Sequence, residues 1–124
     1  MFVLSPAVAQ TSSEQGAYTI TLYAVKGDSP YETESHLERI DSATLRCSPD
    51  GGSHKNKRAA CNDLRDVNGF IDLIRSEPGY CPFEFSPVYA VAEGQWKGEA
   101  RRFGKVFINR CVANRETGGA VFEI

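Results

Sequence analysis

The chain has 124 residues, 24% of them charged, with 14 Lys and Arg against 16 Asp and Glu. That length accommodates one domain around one core. A net charge of −2 gives no footing for nucleic acid or a membrane surface as the main partner.

Met1 to Ala9 ends in Ala7-Val8-Ala9, the small-x-small pattern that precedes signal-peptidase cleavage, here before Gln10. A basic n-region and a longer apolar run are missing, so it reads as the trimmed end of a secretion signal or as a sequence that begins late. Gln10 to Gly16 is small and polar, a disordered lead-in, so residues 1–17 are set apart from a domain over 18–124. No segment approaches the length of an apolar membrane span, and a soluble, secreted, extracellular protein is expected.

Tyr18, Ile20, Leu22 and Ala24 alternate with Thr19, Thr21, Tyr23 and Val25, a period of two that predicts a strand. Its second face is not fully polar, which leaves room for a covering partner such as another subunit. Gly27-Asp28-Ser29-Pro30 ends it, and the acidic Tyr31 to Glu38 is expected as a loop or edge segment. Ala43, Leu45 and Cys47 alternate with Ser42, Thr44 and Arg46 as a second strand, followed by the turn-forming Ser48 to Ser53. The basic run His54-Lys55-Asn56-Lys57-Arg58 reads either as a site for anions or, more simply, as a solvated approach to a helix.

Ala60, Leu64, Val67, Ile71 and Ile74 form one apolar stripe of an amphipathic helix. Asn68-Gly69 should split that stretch into a main helix and a short second turn, and Glu77-Pro78-Gly79 stops it. Val88, Ala90 and Ala92 predict a third strand, with Glu93-Gly94 as the hairpin turn. Trp96 to Cys111 is expected as a long bent strand kinked or bulged at Gly104, with Phe103 and Phe107 on one face and Val106 and Ile108 on the other. Asn114 to Gly119 is a turn-rich loop, and Ala120 to Ile124 alternates as a last strand. Strands without strand–helix–strand repetition predict an antiparallel sheet with the helical segment on one face, an α+β fold.

Between the helix and the third strand lies Gly79-Tyr80-Cys81-Pro82-Phe83-Glu84-Phe85-Ser86-Pro87. Each proline fixes its own φ and biases the preceding residue towards extended backbone. A core strand would not carry this set of residues. Two readings stand: a proline-rich connection whose phenylalanines tuck into the core, or a stiff exposed loop whose aromatic tip is offered to a protease cleft.

Four cysteines in a small chain point to two disulfides and an oxidising compartment. Three pairings are possible. The local one, Cys47 with Cys61, would join a strand end to a helix start, and Cys81 with Cys111 would then tie the aromatic loop down. The spacing lacks the close pairs of a zinc site. Catalysis finds no support either. His36 and His54 lie in polar, loop-like stretches without spaced partners, and no nucleophile-elbow, zincin or phosphate-loop motif is present. Asp63 and Asp66 are explained by a helix start. No enzyme, cofactor or metal is expected.

Cys81-Pro82-Phe83-Glu84-Phe85-Ser86-Pro87, Gly94-Gln95-Trp96-Lys97-Gly98, Val106-Phe107-Ile108-Asn109-Arg110-Cys111 and Gly119-Ala120-Val121-Phe122, in this order, resemble the Streptomyces subtilisin inhibitor family. The resemblance spans Tyr18 to Ile124. It implies a single five-stranded antiparallel sheet with two helices on one face, a homodimer packed through the sheet, and the disulfides Cys47–Cys61 and Cys81–Cys111. It further implies substrate-like inhibition of extracellular serine proteases, subtilisin-like and chymotrypsin-like, with Phe83–Glu84 as the reactive bond. Gly79, Tyr80, Cys81, Pro82, Phe85 and Ser86 would complete the binding loop, Tyr80 meeting the pocket for large apolar groups upstream of the bond. Asn109 would support the loop from behind. Glu84 and the segment Tyr31 to Glu38 depart from the family's usual pattern. The alternative is a secreted module of the same fold that blocks another protease class, such as a metalloprotease, through a different surface.

Overall fold

The computed structural model describes residues 15–27 and 36–124. The signal remnant and most of the lead-in, the turn at 28–30 and the first part of the acidic segment lie outside the described residues.

Strand β1 (Gly16–Lys26) is the central organiser, with β2 (His36–Cys47) on one side and β3 (Val88–Trp96) on the other. Strand β4 (Glu99–Phe107) pairs with β3, so the antiparallel order is β2-β1-β3-β4. The period-two pattern places Tyr18, Ile20 and Leu22 on the inner face, where they meet Leu45, Ala90, Ala92 and Phe107. Helix α1 (Lys57–Asp66) contributes Ala60, Cys61 and Leu64 to this core, and helix α2 (Arg110–Glu116) contributes Ala113. Both helices therefore sit on the inner face. The outer face carries a stacked Tyr23–Tyr89 pair with ring centroids 6.2 Å apart, half-buried Val25 and Val91, and exposed Leu37 and Val106.

Several expectations need correction. The sheet has four strands among the described residues, not five. Ala120, Val121 and Phe122 are buried one after another in a turn that Glu123 N–H closes by donating to the Ala120 carbonyl (3.1 Å). Consecutive burial is a plug over the core, not a strand with two faces. The long strand expected up to Cys111 ends at Phe107, and the first half of the expected loop over 114–119 belongs to α2.

Strand β2 begins at His36, inside the segment expected as a loop or edge segment, and over residues 36–38 the edge reading holds. Its first half is at the sheet edge and exposed, so no apolar alternation marks it. A bulge deepens the disguise: Asp41 pairs with Leu22 and Arg39 with Tyr23, leaving Ile40 between them.

Gly94 pairs inside the sheet, with Tyr18 and Arg101 as neighbours, and the hairpin turns instead at Lys97-Gly98. Both residues have positive φ (51° and 84°), as a tight turn matching the strand twist requires. Gly104 lies in unbroken register opposite Val91. A Cβ there would approach Tyr89 Oη to 2.7 Å, so this glycine makes room for a ring, not a bulge.

The helical stretch divides as expected. Asn68 and Gly69 adopt positive φ (56° and 83°), and a 3₁₀ turn over Ile71–Leu73 follows, burying Ile71. The helix starts ahead of Ala60, however, so Asp63 and Asp66 lie in its later turns, where the dipole does not favour carboxylates. Burial, with Asp66 and Glu77 nearby, pushes the Asp63 carboxyl up from its usual range. His54 is fully buried and has partners after all. Its Nδ1 accepts from Asn56 N–H (2.9 Å), which puts the proton on Nε2, facing the Val121 carbonyl at 2.9 Å. Burial holds this imidazole below the usual histidine range. Tyr18 donates to the Gly69 carbonyl (2.7 Å), and burial pushes its hydroxyl up to about 12.

Candidate functional site

Residues 74–87 contain no helix or strand, as the prolines at 78, 82 and 87 dictate. The stretch is nevertheless tied at every few residues. At its entrance Glu77 N–H donates to the Arg115 carbonyl at the end of α2 (2.8 Å). Cys81 is then bridged to Cys111 in the first turn of α2, with Cα atoms 5.8 Å apart. At its exit Ser86 N–H donates to the Ile108 carbonyl (2.8 Å), and Val25 N–H of β1 donates to the Pro87 carbonyl (3.0 Å). The other two cysteines form the second bridge, Cys47–Cys61, between the end of β2 and α1.

The middle of the loop is held as firmly. Glu84 N–H donates to the Pro82 carbonyl (3.1 Å), which closes a three-residue turn with Phe83 at its tip. Behind it lies the buried side chain of Asn109. Its Nδ2 donates to the Pro82 carbonyl (3.2 Å) and to the Glu84 carbonyl (2.8 Å), one on each side of the Phe83–Glu84 bond. Its Oδ1 accepts from Val112 N–H (2.9 Å), the N-cap bond of α2. One amide thus ends a helix and spans a peptide bond.

With the backbone satisfied, the large side chains turn outward. Tyr80 is 87% exposed, Phe83 92% and Phe85 78%. Rings of this size are seldom left in water by a fold that could bury them, so the phenylalanines do not tuck into the core. Gly79, Pro82, Glu84 and Ser86 are exposed beside them, and Cys81 is half-buried through its bridge. The nine residues from Gly79 to Pro87, with Asn109 and Cys111, are therefore brought together. His36, at the start of β2, and His54, in the core, take no part.

Beneath the loop is a crevice of about 230 Å³ with Ile40, Glu84, Asn109 and Arg110 on its walls. Arg110 is anchored away from the loop, on Asp41 Oδ2 (2.9 Å) and the Ile124 carbonyl (3.2 Å). Cys47, Asp50 and Cys61 also lie close together, within 4.8 Å. Both sulfurs are oxidised into the bridge and Asp50 is held by Arg65 at 2.6 Å, so the group offers no thiolate to a metal. What the sequence reading passed over is α2 as the platform for the loop. The available signal was Asn109 as a capping residue, followed by Arg-Cys-Val-Ala-Asn-Arg-Glu and the stop at Gly118-Gly119.

Residues 17–109 match the family model described as subtilisin inhibitor-like, a span that includes the whole loop and its asparagine. The chain belongs to this family. It is 34% identical over 89 residues to subtilisin inhibitor-like protein 5 of Streptomyces fradiae, a match covering 70% of this chain and 83% of that relative. To protease inhibitor SIL-V1/SIL-V4 of Streptomyces netropsis it is 35% identical over 100 residues, covering 78% and 88%. These subtilisin inhibitor-like relatives are named as inhibitors, not enzymes. Among solved structures, Streptomyces caespitosus sermetstatin, crystallised in complex with Bacillus licheniformis subtilisin, matches with a TM-score of 0.60 at 23% identity, over 86% of this chain and 97% of that one. At that identity the match speaks for a shared fold.

Proposed function

We propose that this chain is a secreted inhibitor of subtilisin-like and chymotrypsin-like serine proteases, acting through the Phe83–Glu84 bond. The observation that carries the proposal is the placement of one buried amide across that bond while the ring beside it is turned almost wholly into water. Phe83 is the anchor for the protease's main specificity pocket, and an aromatic side chain there suits a deep apolar slot and not the acidic pocket of a trypsin-like enzyme. Tyr80 reaches the apolar pocket upstream.

The chemistry follows from the bracing. The protease serine oxygen bonds to the Phe83 carbonyl carbon, the bond to Glu84 N breaks, and the enzyme's histidine passes the proton to the departing amine. In a flexible peptide that amine diffuses away and water attacks the acyl-enzyme. Here the Cys81–Cys111 bridge holds the acyl side. Asn109 holds the Glu84 carbonyl, and the Ser86–Ile108 bond pins the chain beyond it. The amine stays within reach of the acyl carbon, so the peptide bond re-forms faster than it hydrolyses. Because the loop is already ordered, little conformational entropy is lost on binding.

Phe83→Gly tests the assignment. Its circular dichroism and melting should match the parent, while the inhibition constant for subtilisin rises by about two to three orders of magnitude. Undiminished inhibition in a folded variant would place the inhibitory surface elsewhere.

A further inference from the structure

Glu84 stands between two outward phenylalanines, and its carboxylate is the charged group of the loop, left unmatched by the fold. Among the described residues no cation pairs with it and no side chain donates to it. The cation that shares its crevice, Arg110, is already engaged by Asp41 and the Ile124 carbonyl. The Glu84 backbone is the opposite case, since its N–H and carbonyl are both held. The chain fixes the backbone that carries this carboxylate and provides nothing to neutralise it.

A cleft that closes over Phe83 and Phe85 also takes the residue between them out of water. A carboxylate dehydrated without a partner opposes binding, whereas one that meets a fixed cation gains a charge-assisted hydrogen bond and a faster encounter. We infer that Glu84 is a specificity-determining residue that directs the inhibitor to serine proteases with a lysine or arginine on the leaving-group side of an otherwise apolar cleft. This inference rests on the loop assignment above. Phe83 selects the pocket before the bond, and Glu84 selects the charge after it.

The test uses the native protein, Glu84→Gln and Glu84→Lys, each titrated against subtilisin and against a subtilisin variant with a lysine introduced in the wall that faces residue 84. The native chain should prefer the lysine-bearing enzyme by about ten-fold or more at low salt, and the preference should shrink as ionic strength is raised. Glu84→Gln should lose the preference and Glu84→Lys should reverse it. An equal ratio of inhibition constants for the native chain and Glu84→Gln would overturn the inference. Phe83→Gly separates this failure from failure of the loop assignment. If that variant is weakened by about two to three orders of magnitude against both enzymes, the loop assignment stands whatever Glu84 does. If it inhibits both undiminished, the loop assignment falls and the charge preference falls with it.

Discussion

The side chain of Asn109 serves two elements at once, with its oxygen on the first turn of α2 and its nitrogen on the loop. The two duties can be separated chemically. Asn109→Asp keeps an acceptor for Val112 N–H, and a carboxylate is well placed at a helix N-terminus. It loses the donor and sets an oxygen against the Pro82 and Glu84 carbonyls. Asn109→Asp should therefore keep helix α2 by circular dichroism, while its melting midpoint falls by the equivalent of about 1–3 kcal/mol because a buried oxygen now faces two carbonyls. Subtilisin should nevertheless consume the variant about ten-fold faster or more, because the leaving amine is no longer held. Asn109→Ala should lose both stability and resistance. An Asp variant that resists cleavage as the parent does would show that the amide nitrogen is not what retains the loop.

At the scale of elements, the loop and α2 act as one unit. The bridge Cys81–Cys111 closes a 30-residue separation, which contributes about 3–4 kcal/mol in the chain-entropy view. Its local effect matters more for function, since it fixes the loop two residues before the bond under attack. Replacing both cysteines by serine should convert the inhibitor into a substrate. A double variant that remained intact under excess subtilisin for as long as the parent would contradict the role given to bracing.

The same elements show why some features could be read from sequence and others could not. Proline acts on its own φ and on its immediate neighbour, so the extended loop was legible from residues 79–87 alone. Ile20, Leu22 and Leu64 declare their elements by spacing because each lies on a half-buried strand or helix. Helix α2 declares little, because Ala113 is its one fully buried residue and an apolar stripe never develops. It is held in place by a cap and a bridge, which are tertiary facts. Likewise the partners of Asn109 lie 25 and 27 residues away, a distance that periodicity does not span. Its role came from family resemblance, and the hydrogen bonds supply the physical reason for it. The misplaced last strand has the opposite cause: Ala120 to Ile124 has strand composition, but burial of three residues in succession overrides it.

For the whole molecule, the sheet and its two helices form the base, and the loop is attached to it through α2, the residue after β4 and the end of β1. Inhibition of this kind therefore depends on a fold that lets a protease cut and then keeps the cut ends together. Mass spectrometry of the protein held with subtilisin at near-equal amounts reads that property directly. The expected result is one cut, between Phe83 and Glu84, at a constant fraction of the chain, with the cut form still inhibitory and partly rejoined when fresh enzyme is added. Cleavage at other bonds, or steady digestion with recovery of full enzyme activity, would contradict it.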